Sequence, residues 1–224
     1  MRLWPPLVCA ALASCGGCEP VVGPEGEVAR FLEAQRGGCA VAVEGRGTLA
    51  LTSLKFDRLL VKPEGEGLTA VATFDGEGVF KGVSSGRIAD EIAVSYLGLE
   101  RAPFVRREGR WAPQTSVVPA LVEIVALLDA RREALGKKDA AALDEMVAKG
   151  WKDARLTRDA ALEKARSLEG RYQPTKWIVR VEREGAQVLE EYTLEPADGP
   201  ARRGQVRFEL KREDGRLRFA SGLL

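Results

Sequence analysis

Hydrophobic and polar positions along this chain first recur with helical spacing and then alternate one by one, and this order occurs twice. The first helical stretch runs from Pro24 to Arg36 and ends at Gly37 and Gly38. Alternation then predicts four strands, at residues 49–61, 68–80, 88–99 and 104–111, with the last turn at residues 101–103. The first half is therefore predicted to be one helix followed by an antiparallel meander.

The second half of the pattern contains more helix. Apolar residues recur three and four positions apart from Val117 to Leu135, with Ser116 as the predicted cap and Gly136 as the predicted end. Two shorter helices follow, Asp139 to Lys149 and, after the capping Thr157, Arg158 to Leu168. The period then changes to two, at residues 177–181, 188–194, 206–210 and 217–219. Helices followed by a one-sided antiparallel sheet indicate the α+β class.

The first residues form a different kind of segment. Met1 and Arg2 give a cationic start, and the run from Leu3 to Ala13 carries no charge and ends in small residues. This combination is typical of a secretory signal, and the run is shorter than the roughly 20 apolar residues that span a bilayer as a helix. Residues 1–14 are therefore predicted to be a signal peptide outside the fold.

The end of this segment, Leu12-Ala13-Ser14-Cys15, resembles the lipobox of bacterial lipoproteins. The resemblance implies cleavage before Cys15, a diacylglycerol on its sulfur and acylation of the new amino terminus. The alternative is ordinary secretion, because Ala11-Leu12-Ala13 also fits the small-x-small rule. The sorting rule of the family implies that Gly16, which is not an aspartate, directs the product to an outer membrane, facing the periplasm, in enteric-like bacteria. Residues 15–23 are interpreted as the lipidated tether.

Charge excludes one class of partner. Removal of residues 1–14 takes Arg2 away from the 34 basic residues, so 33 basic residues then face 33 acidic ones. Nucleic-acid binding needs clustered lysine and arginine against the phosphates. The basic pairs Arg106-Arg107 and Arg202-Arg203 lie beside turn-like stretches and are interpreted as solvated loops. The predicted partner is thus the membrane, through the lipid, and no nucleic acid.

The four cysteines have separate predicted fates. Cys9 leaves with the signal and Cys15 carries the lipid, so Cys18 and Cys39 remain in a compartment where disulfides persist. A bridge between them would close a loop of about 20 residues and contribute on the order of 3 kcal/mol. The alternative is two unpaired thiols.

The chain contains no histidine. Its absence excludes Ser-His-Asp and Cys-His catalysis, histidine-ligated metals and imidazole acid–base chemistry. Two cysteines make at most half of a zinc site. No metal site and no cofactor is predicted.

Three helices followed by a four-stranded sheet resemble the nuclear-transport-factor-2-like, or cystatin-like, cone fold. The segment Ala134–Leu143, with an Ala-Leu end, a capping aspartate and a spaced leucine, looks like the first helix-to-helix junction of that superfamily. The resemblance covers residues 117–224, and residues 24–113 are interpreted as a degenerate second copy. It implies helices packed on a curved antiparallel sheet, repeated in two domains.

The superfamily contains enzymes, ligand carriers and interaction modules, so the fold alone does not decide the function. Its dehydratases often use a histidine, which this chain lacks. Its isomerase-like and cyclase-like members use carboxylates and tyrosines, so the resemblance keeps Asp153, Glu190 and Tyr192 as candidate cone residues.

Two tryptophans complete the candidate pocket. Trp151 and Trp177 would line a ligand site or belong to the core. Glu190 shares a strand face with apolar neighbours, which indicates either a functional acid or a carboxylate paired with a partner such as Arg180.

Two functions of different classes follow. The first is a non-catalytic envelope lipoprotein that binds a protein or a small apolar ligand. The alternative is a small-molecule isomerase or cyclase, which needs a pocket with a carboxylate of raised pKa beside a tyrosine.

Overall fold

The computed structural model describes residues 23–84, 87–153 and 156–224. The predicted signal peptide and most of the tether lie outside these residues. Cys15 and Cys18 are among the residues left out, so lipid attachment and the disulfide stay predictions.

The described part of the chain forms four helices and nine strands. The helices are α1 (Pro24–Glu33), α2 (Pro119–Lys137), α3 (Ala140–Met146) and α4 (Arg158–Arg166). The strands are β1 (Cys39–Val43), β2 (Gly47–Glu64), β3 (Gly67–Ser84), β4 (Arg87–Arg107), β5 (Arg110–Pro113), β6 (Arg171–Val181), β7 (Gly185–Glu195), β8 (Arg202–Glu213) and β9 (Arg216–Ser221). Helices packed on one large curved sheet confirm the predicted α+β class.

All nine strands belong to one sheet, in the order β1-β2-β3-β4-β6-β7-β8-β9, with β5 paired to β4. The neighbouring strands run antiparallel except β4 and β6, which pair in parallel over Ala93–Gly98 and Lys176–Val181. A parallel pair needs a crossover connection, and α2, α3 and α4 provide it. Residues 24–113 and 117–224 therefore share one sheet, and their origin as two copies of one fold stays a prediction.

The central strand β4 is longer than the alternation predicts. It runs unbroken from Arg87 to Arg107, so the turn predicted at residues 101–103 is wrong. Pro103 lacks an amide hydrogen, but its carbonyl oxygen faces β5 and accepts a hydrogen bond of 2.7 Å from the Gln114 amide. The amide that Pro103 lacks would face the carbonyl oxygen of Gln114, and that oxygen instead accepts a hydrogen bond of 3.1 Å from Nη2 of Arg107.

Both predicted boundaries of α2 are wrong by two residues. The helix begins at Pro119, because proline is suited to the first turn, and its N-cap residue is Val118. Ser116 accepts a hydrogen bond of 3.0 Å from the Val118 amide and does not cap the helix. At the other end the helix continues through Gly136, and the left-handed residue that ends it is Lys138, with φ of 54°.

The two shorter helices have the predicted N-caps. The side chains of Asp139 and Thr157 accept hydrogen bonds of 3.0 and 3.3 Å from amides three residues later. The end predicted for α3 is three residues too late. The helix ends at Met146, because Val147 forms a parallel bridge with Phe219 of β9.

One hydrophobic core runs through both halves of the sheet. The rings of Phe80 on β3 and Trp177 on β6 pack with their centroids 5.6 Å apart. Helix α2 covers this region with fully buried apolar residues, namely Leu121, Ile124, Val125 and Leu128. Burial of each such side chain contributes about 2 kcal/mol, so the two halves stabilise each other.

A buried glutamate joins β4 to the start of α2. Glu100 has no exposed surface and accepts hydrogen bonds from the amides of Ala120 and Leu121, at 2.9 and 3.0 Å. The Tyr96 hydroxyl also donates to Glu100, at 2.7 Å. Because Val118 has no side-chain acceptor, Glu100 satisfies the free amides of the first turn from another element.

Burial raises the pKa of Glu100 from 4.5 to about 7, although its three hydrogen bonds oppose this shift. The folded state therefore binds more protons than the unfolded chain between these values, and the protonated carboxyl stabilises it most below pH 4.5. Its contribution to the free energy of unfolding, about 3 kcal/mol, is lost as pH rises through 7.

We predict that Glu100→Gln removes much of the fall in stability between pH 5 and pH 8, since glutamine keeps an acceptor for the helix amides but does not titrate. Urea unfolding of both proteins across this range measures the effect. The absence of histidine leaves the window free of imidazole titration. Parallel pH profiles for the two proteins would contradict this role of Glu100.

Candidate functional site

Three of the candidate pocket residues lie near one another. Trp177 of β6 and Glu190 of β7 are directly opposite across the antiparallel pair, and Tyr192 follows Glu190 on the same face. The sequence did not single out two further members, Arg131 of α2 and Tyr172 of β6. We call Arg131, Tyr172, Trp177 and Glu190 the interior cluster.

Because side chains alternate between the two faces of a strand, the strand residues of this cluster face α2. Trp177 and Glu190 are both 0% exposed and face the side of the sheet covered by α2. On α2, Arg131 follows Leu121, Ile124 and Leu128 at the helical spacing of the buried stripe. The side chains of Arg131 and Glu190 therefore meet between helix and sheet.

Hydrogen bonds saturate the carboxylate of Glu190. Nη1 of Arg131 lies 3.0 Å from Oε1 and 3.3 Å from Oε2. Nε1 of Trp177 donates to Oε2 at 2.7 Å, and the Tyr172 hydroxyl donates to Oε1. Both oxygens are thus bound by protein donors, and the residue has no exposed surface.

Arg131 also makes several contacts besides its ion pair with Glu190. Its Nε donates to the carbonyl oxygen of Leu223 at 2.9 Å, and its Nη2 donates to the Tyr172 hydroxyl at 3.2 Å. The guanidinium also lies over the Phe208 ring, 4.4 Å from its centroid. The cluster therefore ties α2, β6, β7 and the end of the chain together.

The surroundings of Arg131 favour its charged form. Burial lowers the pKa of Arg131, but the attraction of Glu190 and the contact with Tyr172 outweigh it, so the net shift is upward. Burial also raises the pKa of Tyr172; Arg131 opposes this shift and Glu190 adds to it. The guanidinium stays charged and the phenol stays protonated at ordinary pH.

The partner predicted for Glu190 was wrong. Arg180 is exposed and lies on the opposite face of β6 from Trp177, so it cannot reach the buried carboxylate. The sequence did carry a signal for the true partner, because Arg131 occupies an apolar position of the α2 pattern. An arginine on a buried stripe needs an acid, and Glu190 is an acid on a buried strand face.

Tyr192 lies at the border between the interior and the surface. Its ring stacks on Tyr172 with centroids 4.6 Å apart. Gly204 of β8 leaves room for it, since a Cβ there would lie 2.5 Å from the Tyr192 ring. Beside Tyr192 is an open cavity of about 500 Å³, lined also by Thr175 and Arg203.

Trp151 and Asp153 lie in the segment between α3 and α4. Two backbone hydrogen bonds join this segment to β9. Trp151 is 8% exposed and belongs to the hydrophobic core, although its indole nitrogen has no hydrogen-bond partner among the residues that the structure describes. Asp153 is half-buried.

Cys39 is half-buried, and burial raises the pKa of its thiol. Within residues 23–84, 87–153 and 156–224, no group of acidic or cysteine side chains is arranged to hold a metal ion. In the same part of the chain, no helix is long and apolar enough to cross a membrane.

No protein-family model matches the chain, and no curated protein matches it. Among solved structures, an NTF2-like protein of unknown function from Shewanella oneidensis MR-1 is 17% identical, with a TM-score of 0.36 over 45% of this chain and 93% of that one. A protein of unknown function from Mycobacterium tuberculosis is 22% identical, with a TM-score of 0.35 over 46% of this chain and 68% of that one.

An NTF2-like protein involved in plasmid conjugation is 8% identical, with a TM-score of 0.31 over 77% of this chain and 76% of that one. Similarity at this level carries no argument about activity or partners.

The contacts of the interior cluster predict how substitutions change the free energy of unfolding. Arg131→Met or Glu190→Leu alone leaves one buried charge unpaired and should lower the free energy of unfolding by about 3–5 kcal/mol. The double variant removes both charges, so its loss should fall short of the sum of the single losses by about 2 kcal/mol or more. Urea unfolding of the four proteins measures this coupling.

The exposed pair Arg212–Glu123 is the matched control. Removal of this pair should lower the free energy of unfolding by less than about 1 kcal/mol. Additive losses at Arg131 and Glu190 would contradict the interpretation of the cluster as a coupled pair.

Proposed function

We propose that this protein is a bacterial envelope lipoprotein, anchored through a lipid on Cys15, whose folded part is a non-catalytic binding module. The absence of catalysis is inferred from one observation: protein donors already occupy both carboxylate oxygens of Glu190. The lipid anchor is inferred from the resemblance of Leu12-Ala13-Ser14-Cys15 to a lipobox. The cone fold for residues 117–224 is part of the same proposal.

The geometry of the interior cluster argues against general-base catalysis there. A general base needs a lone-pair atom within about 3 Å of the atom that carries the proton it removes. Both oxygens of Glu190 already accept from Arg131, Tyr172 or Trp177. A substrate would have to displace these donors and leave Arg131 buried without its counter-ion, at a cost of several kcal/mol.

Because the interior is filled, we infer that a partner binds to the surface. Glu190 and Trp177 occupy the space between α2 and the sheet with no exposed area, which favours a protein partner on the outer surface over a small ligand inside. The tether of residues 15–23 would hold this surface close to the membrane.

One observation favours the alternative, an isomerase or cyclase. Tyr192 borders an open cavity and stacks on Tyr172, whose hydroxyl contacts Glu190. A carboxylate that removed a proton next to a carbonyl would exchange that proton with solvent. We expect no deuterium uptake by cyclic ketones in D₂O, measured by mass spectrometry; uptake that Glu190→Gln abolishes would favour the enzyme.

The anchor is tested by intact mass. Membrane-extracted protein should have the mass of residues 15–224 plus acyl chains. A Cys15→Ser variant should lose the acyl mass and the membrane partitioning together. A soluble, unmodified chain beginning at Ser14 would contradict the anchor and indicate ordinary secretion.

A further inference from the structure

The sheet ends at β1 on one side and at β9 on the other. A strand at the end of a sheet leaves a row of backbone amides and carbonyls with which another strand can pair. The outer side of β9 is covered, because Val147 forms a parallel bridge with Phe219. The amide of Lys152 also donates to the carbonyl of Ala220, at 2.8 Å. In the part of the chain that the structure describes, β1 is therefore the end of the sheet to which a strand can still be added.

Other stretches of strand edge carry features that hinder the addition of a strand. β1 pairs with β2 only as far as Leu51, so residues 52–64 of β2 also form an edge. That edge has a bulge at Arg58, a proline at Pro63 and several charged side chains. The short strand β5 ends in Pro113. Charges, prolines and bulges on edge strands keep other chains from pairing with them.

β1 has none of these features. Its sequence, Cys39-Ala40-Val41-Ala42-Val43, contains no charge and no proline, and its register with β2 is unbroken. Its position is fixed by the turn that follows it. In that turn, Nη1 of Arg46 lies 3.2 Å from the carboxylate of Asp129 on α2, and the Arg46 carbonyl accepts from the Val83 amide at 2.8 Å. The free side of β1, which we call the β1 edge, is thus a preformed and unprotected strand edge.

The backbone groups of two alanines point outward along the β1 edge. The turn after β1 closes on Val43, whose carbonyl oxygen accepts from the Arg46 amide at 2.9 Å, so the backbone of Val43 faces β2. In an antiparallel ladder the backbone groups of every second residue face the partner strand. The amides and carbonyls of Ala40 and Ala42 therefore face away from β2. Within the described residues these groups have no hydrogen-bond partner.

The side chains of β1 are also incompletely covered. Val43 is buried in the core, whereas Cys39 and Val41 on the same face are only half-buried. On the other face Ala40 and Ala42 are exposed, and both are small. A strand that paired with the β1 edge would cover the two half-buried side chains and would meet no bulky group beside the alanines. The occupant that fits is an extended, uncharged strand with apolar side chains on one face.

We propose that the β1 edge pairs with the β1 edge of a second copy of this chain. A two-fold axis normal to the sheet, through Val41, sets the two strands antiparallel. Ala40 of each copy then lies opposite Ala42 of the other, so every outward amide donates to an outward carbonyl. The inner faces of both copies stay on the same side of the joined sheet. Cys39 of one copy therefore lies beside Val43 of the other, and Val41 meets its counterpart.

Closure of the sheet favours a second copy over a bound peptide. A peptide strand at the β1 edge would use one side of its backbone and leave the other side as a new unprotected edge. Two β1 edges satisfy each other, and the joined sheet then ends at both sides in β9, where residues 147–152 cover the edge. The assembly therefore stops at two chains.

Charge and order favour the same occupant. An uncharged strand meets a copy of itself without repulsion between like charges. β1 is also ordered before it pairs, whereas a flexible peptide loses conformational freedom when it binds. This inference does not depend on the lipid anchor or on the absence of catalysis.

Sedimentation equilibrium of the full chain in a density-matched detergent measures the assembly, because the detergent then adds no apparent mass. The expected mass is that of two chains. Ala42→Pro removes an outward amide but none that faces β2, so the fold should tolerate it and the mass should be that of one chain.

A charged variant tests the same edge without a proline. In Ala42→Lys the two new lysines are diagonal neighbours across the axis, which should weaken the dimer about tenfold or more. Thr48→Lys is the matched control, because Thr48 lies opposite Ala42 on β2, exposed on the same face but one strand away from the edge. This control should stay dimeric.

Disulfide formation between copies tests the register. In a chain that carries Cys18→Ser and Cys39→Ser, Val41→Cys should form a disulfide-linked dimer with a mild oxidant. Opposite residues of a pair without hydrogen bonds have Cα atoms about 4.5 Å apart, which a disulfide can span. Ala40→Cys in the same background should link far less, because Ala40 lies opposite Ala42 and only diagonal to its own counterpart.

Three outcomes would overturn the proposal. They are a wild-type chain of monomeric mass at the highest soluble concentration, a folded Ala42→Pro variant that remains dimeric, and an Ala40→Cys variant that links as readily as Val41→Cys. A monomeric wild type in which the Ala42 amide resists exchange with D₂O would assign the β1 edge to another segment of the same chain, such as residues 15–22, and would overturn it as well.

Discussion

The buried ion pair between Arg131 and Glu190 is the contact on which the C-terminal half of the structure depends. Glu190 on β7 is reached by Trp177 and Tyr172 from β6 and by Arg131 from α2. Arg131 in turn binds the carbonyl of Leu223 near the chain end. A buried ion pair adds little stability compared with apolar residues of equal size. Removal of one partner alone, however, lowers the free energy of unfolding by several kcal/mol, because the other charge stays buried and unpaired. The pair therefore specifies how helix, sheet and terminus fit together.

Strand β4 has the corresponding role between the two halves of the sheet. Its register with β3 and β6 places the first half beside the second, and Gly98 allows β6 to approach, since a Cβ there would lie 2.4 Å from Cβ of Val181. Glu100 on the same strand holds the first turn of α2. The inner face of β4 thus joins the two halves of the sheet to α2.

The sequence predicted what depends on near neighbours. Period-two alternation identified the strands, and local hydrogen-bonding residues identified the N-caps Asp139 and Thr157. It did not predict the parallel pairing of β4 with β6, because residues 98 and 181 are far apart in the chain. The break predicted near Pro103 failed for a similar reason. Arg107 donates to the Gln114 carbonyl that Pro103 cannot serve, and this contact exists only in the assembled sheet.

The candidate site was predicted in part for the same physical reasons. Glu190 was recognised as a carboxylate on an apolar face, and Trp177 as a residue of a ligand site or of the core. The choice between a catalytic acid and a paired charge required knowledge of what packs on that face of the sheet. The arginine on the buried stripe of α2 was visible in the sequence. Its pairing with an acid 59 residues away was not.

The central claim is that the interior is closed and structural, and hydrogen exchange tests it most directly. The indole proton of Trp177, bonded to Glu190 and fully buried, should exchange with D₂O only through global unfolding, so its protection should match the free energy of unfolding. The half-buried Trp111 gives the comparison within the same protein. Exchange of the Trp177 proton as fast as that of Trp111 would show an interior open to solvent and would contradict the account.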